Sequence, residues 1–137
     1  MKLSARTRYA ARLLLDLALF EEDRPLRAIS LAENTGISVQ FLEQIIRPLK
    51  KAGFIKSVRG AAGGHILDMA PERITLGEIV RVMEGGITLA DCLGDPDTCH
   101  RSDTCKTRKV WDRASNVLQR ELDSITLADL MHDDGCL

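Results

Sequence analysis

The order of structural signals in the first half of the chain restricts its fold more than any other feature. Two short predicted helices, residues 26–34 and 39–52, are separated by the turn Thr35–Ser38. Gly36 gives this turn a residue that adopts positive φ easily, and Ser38 is a favourable N-cap for the next helix. Strand-forming segments then flank the glycine-rich tip Gly60–Gly64. Helix, turn, helix and hairpin in this order predict a winged helix-turn-helix.

Apolar residues at helical spacing predict the buried faces of these helices. A first helix is expected from its N-cap Ser4 to about Glu21. In the helix over residues 26–34 we expect Leu26, Ile29 and Leu31 to point inward. A capping box of Thr75 and Glu78 begins a later helix. The expected core positions of the first and third helices are Ala10, Leu13, Leu14, Leu17, Phe20, Phe41, Leu42, Ile45, Ile46 and Leu49.

The outward face of the helix over residues 39–52 carries side chains that can recognise DNA bases. Gln and Arg make bidentate contacts with base edges, and Glu accepts a hydrogen bond from cytosine. An Arg at the base of a hairpin tip suits a narrow minor groove. A solvated helix face and a plain turn would contain the same residue types, so the order of elements is what favours DNA binding. The predicted DNA-binding residues are Ser38, Gln40, Glu43, Gln44, Arg47, Arg59 and Gly60.

The charge of the chain is divided between its halves. The net charge is −1, which alone would argue against a nucleic-acid partner. Residues 1–60 hold 11 Lys and Arg against 6 Asp and Glu, whereas residues 61–137 hold 8 against 14. A basic half joined to an acidic half fits a DNA-binding module attached to a part with another role, although ordinary surface variation could produce it too.

Three of the four cysteines lie close together, at Cys92, Cys99 and Cys105. The gaps between them hold Gly, Pro, Asp, Ser and Thr, which form loops and bury no core. We expect a flexible loop that a bound metal orders. The N-terminal segment Met-Lys-Leu-Ser-Ala-Arg lacks the apolar core of a signal peptide, and no apolar run approaches membrane length, so we expect a cytoplasmic protein. In that compartment thiols stay reduced and clustered cysteines bind metal or sense redox state.

A long amphipathic helix is predicted from Asp103 or Thr104 to about Leu122. At 1.5 Å per residue it would be about 28 Å long, which favours pairing with a second chain over packing only on its own domain. Its apolar stripe, the predicted dimer interface, consists of Val110, Trp111, Ala114, Val117, Leu118 and Leu122.

The predicted fold is mainly α, with a small β-hairpin wing and a long C-terminal helix. We divide the chain into a winged helix-turn-helix DNA-binding domain (residues 1–86), a cysteine-containing cluster loop (residues 87–108) and a dimerisation helix with its tail (residues 103–137). No catalytic triad, phosphate loop or nucleotide fingerprint is present, so we expect no enzyme and no catalytic residues.

Several short motifs together resemble those of one family, the winged-helix iron–sulfur and redox regulators of the Rrf2 superfamily that include IscR, NsrR and CymR. The resemblance covers residues 2 to about 131. The motifs that carry it are Arg8-Tyr9-Ala10, Gly36-Ile37-Ser38, Phe41-Leu42-Glu43-Gln44, Lys51-Ala52-Gly53, Ser57-Val58-Arg59-Gly60, Gly63-Gly64, the three cysteines and Trp111.

The resemblance implies a homodimer whose long helices cross, so that two recognition helices enter successive major grooves of a palindromic operator in double-stranded DNA. It implies that Gln40, Glu43 and Gln44 contact bases and that Arg59 enters the minor groove. It also implies an iron–sulfur cluster, [2Fe–2S] rather than [4Fe–4S], on Cys92, Cys99 and Cys105. Thiolates are the usual ligands of such clusters.

The fourth ligand is left open by the sequence. The positions that align with the fourth ligands of IscR-type and NsrR-type members hold Arg108 and Arg8, and arginine cannot ligate a metal. The remaining candidates are His100, Asp103, His132 and Cys136.

Two other functions stay open. The first is a winged-helix regulator that senses redox state through thiols or zinc, since three cysteines and His100 satisfy the ligand count of a zinc site. The second is a small electron carrier or an accessory protein of cluster assembly.

Overall fold

A computed structural model describes residues 2–132 of the protein. The helix-turn-helix predicted from the sequence is present. Its two helices are α2 (Ala28–Thr35) and α3 (Val39–Lys51), and α1 (Ala5–Leu19) precedes them. Ser4 caps α1 and Ser38 caps α3, each with its side-chain oxygen accepting a backbone N–H. Gly36 ends α2 with a φ of 72°, as the turn chemistry predicts.

The predicted wing is an antiparallel hairpin of β1 (Ile55–Val58) and β2 (Gly64–Leu67). A third segment joins it, because Leu26 pairs with His65 through two backbone hydrogen bonds of 3.0 and 2.9 Å. Leu26 is therefore extended, and α2 begins two residues later than we expected. Ile29 points outward and is 63% exposed, so the expectation that Ile29 is buried was wrong. Ile29 and Leu31 are two positions apart, which places them on nearly opposite sides of a helix, and Leu31 is the one that is buried.

The second half of the described chain is helical. A short 3₁₀ turn (Pro71–Arg73) precedes α4 (Leu76–Glu84), which begins with the predicted capping box. The remaining elements are α5 (Asp91–Gly94), a 3₁₀ turn (Pro96–Thr98), α6 (Lys106–Ser124) and α7 (Leu127–Met131). Within residues 2–132, no helix is both long and apolar enough to cross a bilayer.

One hydrophobic core joins α1, α2, α3 and the hairpin. Of the predicted core positions in α1 and α3, all are buried except Phe20 and Phe41, which are half-buried and pack against the core. Leu127 of α7 is also fully buried in this core, and α7 packs on α1. The segment that follows the long helix therefore returns to the helix-turn-helix.

Candidate nucleic-acid interface and cysteine loop

The outward face of α3 is free for a ligand. Leu42, Ile45, Ile46 and Leu49 point into the core, and each is at most 2% exposed. The opposite face presents the predicted DNA-binding side chains Gln40, Glu43, Gln44 and Arg47, all of which are exposed. Ser38 is exposed as well, but its Oγ accepts the Phe41 amide at 3.1 Å as the helix cap.

The tip of the wing is fixed by its glycine backbone and by a hydrogen bond from Arg27. Arg59 and Gly60 are exposed, and Gly60 has a φ of 114°, a conformation that suits glycine. A side chain at Gly63 would collide with the backbone of Val58 and Gly60. Arg27 donates from its guanidinium to the Ala61 carbonyl oxygen at 2.9 Å. The wing therefore has a defined position beside α3, as a minor-groove contact by Arg59 requires.

His65 lies at the base of the wing with 9% of its surface exposed. Its Nδ1 is 3.2 Å from the Ser57 Oγ of the opposite strand. Burial lowers the pKa of His65 below 6.5, partly offset by the Glu43 carboxylate. His65 thus joins the two strands through its side chain and pairs with Leu26 through its backbone.

The cysteine loop, residues 87–108, is more ordered than we expected. It contains α5 and a 3₁₀ turn, and the Ser102 hydroxyl lies 2.6 and 2.7 Å from the carbonyl oxygens of Pro96 and Cys99. Ser102 is 7% exposed. Local hydrogen bonds thus fold the loop where apolar contacts are scarce, and that a bound metal orders it further stays a prediction.

The loop places its three thiols on three different local structures. Cys92 is in α5, Cys99 follows the 3₁₀ turn and Cys105 is the N-cap of α6; each is half-buried and unpaired. Across residues 2–132, no three His, Cys, Asp or Glu side chains come together as a metal site. The donor chemistry of three reduced thiols fits an iron–sulfur cluster. Their present positions would have to converge to hold one.

The candidate fourth ligands are spread over the chain. His100 and Asp103 are exposed within the cysteine loop, and His132 is exposed beyond the end of α7. Cys136 lies outside the described residues. Arg8 is exposed on α1.

Arg108 ties the first cysteine of the loop to the long helix. Its Nε and Nη2 donate to the carbonyl oxygen of Cys92 at 3.3 and 3.1 Å. This contact brings α5 onto the first turn of α6, beside Cys105. The Cys105 Sγ is 3.2 Å from the Thr107 hydroxyl. The Thr107 side chain and, after it, the Arg108 amide lower the pKa of the Cys105 thiol.

The long helix is connected firmly to the winged domain at its far end, which the sequence did not indicate. Arg81 of α4 forms two hydrogen bonds with the Asp123 carboxylate, at 2.6 and 3.2 Å. The Leu76 amide donates to Ile125 at 2.9 Å, and the Leu127 amide donates to Ile74 at 2.8 Å. These contacts join the C-terminal end of α6 to α4 and to the segment that precedes α4.

The predicted apolar stripe of α6 is divided between two environments. Val110, Trp111 and Val117 are 57%, 47% and 52% exposed. Ala114, Leu118 and Leu122 are half-buried on the side of α6 that packs against α4 and its neighbours. Packing within the chain thus accounts for only part of the stripe, and its exposed part remains available to another surface.

Comparison with known proteins identifies the chain. The family model Rrf2, described as "Iron-dependent Transcriptional regulator", matches residues 3–133. The chain belongs to the Rrf2 family. It is 41% identical to protein rrf2 of Nitratidesulfovibrio vulgaris strain Hildenborough, over 97% of this chain and 89% of that protein. It is 37% identical to the transcriptional regulator CymR of Bacillus subtilis strain 168, over 98% and 94% of the two chains.

Solved structures of the Rrf2 family have the same architecture. The IscR structure from T. potens matches with a TM-score of 0.78 and 35% identity, covering all of this chain and 92% of that one. The oxidised form of Staphylococcus aureus CymR matches with a TM-score of 0.77 and 33% identity, covering 97% and 98%. The predicted winged helix-turn-helix fold and the predicted family are therefore confirmed. The chain is a DNA-binding transcriptional regulator and not an enzyme.

Proposed function

We propose that this Rrf2-family regulator is a homodimer whose affinity for a palindromic operator is changed by an iron–sulfur cluster on Cys92, Cys99 and Cys105. The observation that carries this proposal is the position of the cysteine loop. Arg108 fastens the loop to one end of α6, and Asp123 fastens the other end of α6 to α4 of the winged domain. Ligation at the loop is thereby connected to the DNA-binding unit.

The donor set and the family description support iron over other metals. Three reduced thiols are the usual ligands of iron–sulfur clusters, and the family is described as iron-dependent. When bound, such a cluster supplies iron–thiolate bonds that oxidants can break. The chain's own contribution is to hold the three thiols half-buried on a short loop, with the Arg108 guanidinium beside Cys92. We keep [2Fe–2S] as the proposed cluster.

Operator recognition would divide between α3 and the wing. Gln40, Gln44 and Arg47 are exposed donors that can contact base edges in a bidentate manner, and Glu43 can accept from the amino group of cytosine. Arg59 extends from the base of the wing tip toward the adjacent minor groove in this arrangement.

The exposed part of the α6 stripe supports the homodimer. Val110, Trp111 and Val117 form an apolar surface on a helix of 19 residues, about 28 Å long. Pairing two such helices would bury this surface. A two-fold axis would also set two copies of α3 about 34 Å apart, one turn of B-DNA, if the operator is palindromic.

Coupling between cluster binding and DNA binding requires two conformations of the protein that differ in DNA affinity. A cluster shifts DNA affinity only if it binds more tightly to the protein in one DNA-binding conformation than in the other. Bonds from one cluster to all three thiols would rearrange the loop by joining α5, the 3₁₀ turn and the start of α6. The Arg108 contact and the Arg81–Asp123 pair would carry that rearrangement to α4.

A second function is favoured by the environment of Cys105. Hydrogen bonds lower the pKa of its thiol, and thiolates are the form that oxidants attack. A cleft of about 370 Å³ beside it is lined by Leu93, Ser102, Asp103, Arg108, Lys109 and Asp112. A CymR relative has been solved in an oxidised form. Thiol-based sensing, with or without zinc, is therefore the alternative.

Metal analysis of protein purified without oxygen tests the two functions. Equal iron and acid-labile sulfide, with a colour that Cys92→Ala, Cys99→Ala and Cys105→Ala each remove, would support the cluster. Thr104→Ala, an exposed neighbour of Cys105, serves as the matched control and should keep the colour. Zinc without sulfide, or no metal with oxidant-dependent DNA binding, would support thiol sensing instead.

Operator binding must then be measured with and without the cluster. A sequence selected from a randomised DNA pool by the wild-type protein supplies the operator. If the affinity is identical in both cluster states, and Cys92→Ala leaves it unchanged, the cluster is not a switch.

A further inference from the structure

A basic cleft lies between the first turn of α1 and the C-terminal half of α3. Arg6, Gln44, Arg47, Pro48 and Lys51 line it, and its volume is about 410 Å³. We propose that this cleft binds phosphate groups of the DNA backbone, with Arg6 and Lys51 as phosphate ligands outside the base-contacting set. The proposal rests on the DNA-binding function and adds a second helix, α1, to the interface.

The cations of the cleft form no ion pair with the described part of the chain. Ion pairs within residues 2–132 join Arg24 to Glu22, Lys56 to Asp68 and Arg81 to Asp123. None of them involves Arg6, Arg47 or Lys51, and all three of these side chains are exposed. Uncompensated cations around a concave surface concentrate positive potential there, which attracts polyanions.

The Glu84 carboxylate forms its hydrogen bonds with the first turn of α1, and within residues 2–132 it forms no ion pair with Arg6. It accepts the Ser4 amide at 2.8 Å and also a hydrogen bond from the Thr7 hydroxyl. These bonds and, to a smaller degree, the charge of Arg6 lower the pKa of Glu84. Glu84 is thus held at the N-terminus of α1, while Arg6 lines the cleft beside α3.

The length of α3 indicates that the cleft lies at the edge of the DNA major groove when α3 is bound in it. Lys51 follows Gln40 by 11 positions, which corresponds to about 16 Å along the helix axis. The major groove is only about 12 Å wide. When Gln40 and Gln44 face base edges, the end of α3 therefore reaches the sugar–phosphate strand that borders the groove. Arg6 lines the same cleft and would contact that strand from α1.

Phosphate contacts have a signature that base contacts lack. Each one releases counterions, so the logarithm of the binding constant falls with the logarithm of salt by about 0.9 per contact on B-DNA. Losing such a contact weakens binding to every sequence by the same factor. Losing a base contact lowers the preference for the operator instead.

The test compares a double variant, Arg6→Gln with Lys51→Gln, with the wild type. The matched control removes two exposed cations of α6, Arg113→Gln with Arg120→Gln. Dissociation constants are measured from 50 to 200 mM salt, on the selected operator and on a random-sequence duplex of about 30 base pairs, long enough for two half-sites. The double variant should reduce the salt slope by about 1.8 per protomer, and the control should not change it.

The ratio of the dissociation constants for the random duplex and the operator decides whether a phosphate contact or a base contact has been lost. We expect the double variant to bind operator and random duplex more weakly by the same factor, and a variant with Arg6→Lys and Lys51→Arg to retain the wild-type slope. An unchanged slope in the double variant would overturn the cleft while the operator-binding function stands. A reduced operator preference would also overturn it, in favour of base contact. Wild-type protein without salt-dependent DNA binding would refute both proposals.

Discussion

Truncation of Leu127 to alanine should destabilise the entire chain, although this residue lies far along the sequence from the helix-turn-helix. Leu127 begins α7 and is 0% exposed. Its side chain belongs to the core that contains α1 and α3, and its amide donates to the carbonyl oxygen of Ile74 at 2.8 Å. The substitution leaves a cavity in the core and retains the backbone hydrogen bond.

The expected loss in the free energy of unfolding is about 3 kcal/mol. Removing three buried carbons costs about 2.4 kcal/mol at ~0.8 kcal/mol for each. The cavity adds to this, and Leu→Ala substitutions in cores cost roughly 2–5 kcal/mol in all. For a chain of 137 residues, 3 kcal/mol corresponds to a decrease in Tm of about 10 °C.

Urea unfolding at fixed protomer concentration measures this loss, because a dimer's apparent stability depends on concentration. Circular dichroism follows all helices, and Trp111 fluorescence follows α6. The two transitions should coincide in the wild type and in the variant if the helices unfold as one unit. Leu130→Ala, at a half-buried position of the same helix, is the matched control and should cost less.

Two results would refute this reasoning. A loss below about 0.5 kcal/mol would mean that α7 contributes little to the core, since surface substitutions have effects of that size. A fluorescence transition that separates from the circular dichroism transition would mean that α6 unfolds independently of the winged domain.

Three further predictions concern the dimer, the wing and base recognition. The double variant Trp111→Asp with Val117→Asp should be a monomer in sedimentation experiments and should bind the operator at least tenfold more weakly. The control Arg113→Gln should remain dimeric. If the double variant is dimeric, α6 is not the interface. Burial lowers the pKa of His65 in the folded protein, so the stability that the neutral side chain contributes is present above pH 6.5 and is lost as pH falls toward the pKa of the folded state. His65→Gln should therefore flatten the decrease of the urea midpoint between about pH 7 and pH 5. Glu43→Ala should reduce discrimination at one operator position by about 1–3 kcal/mol in competition binding, and equal loss on all sequences would contradict a base contact.

Local patterns were sufficient to predict the helix-turn-helix and its exposed face. The caps at Ser4 and Ser38 and the positive φ of Gly36 follow from side-chain chemistry within a few residues of each element. The prediction failed at Ile29 because it placed Ile29 and Leu31, two positions apart, on one face of a helix with about 3.6 residues per turn. The start of α2 was also predicted too early, since it is decided by the pairing of Leu26 with His65, which lies 39 positions away in the sequence.

The cysteine loop illustrates a different limit of sequence patterns. Its lack of apolar residues correctly excluded a local hydrophobic core, but it did not exclude order from hydrogen bonds. The buried Ser102 hydroxyl and the Arg108 contact with Cys92 supply that order. Neither is predictable from spacing, because both depend on carbonyl oxygens that the folded backbone happens to present.

By itself, the sequence determined the elements of this protein: the amphipathic helices, the capped turns, the glycine tip of the wing and the supply of three thiols on one loop. These features depend on interactions within a few residues, which composition and periodicity record directly. Only the tertiary structure decided how α6 joins the winged domain. The Arg81–Asp123 pair joins residues 42 positions apart, and a side chain at Gly77 would displace the Asp123 carboxylate from its present position. Such contacts depend on the relative placement of two helices, and local sequence carries no signal for it.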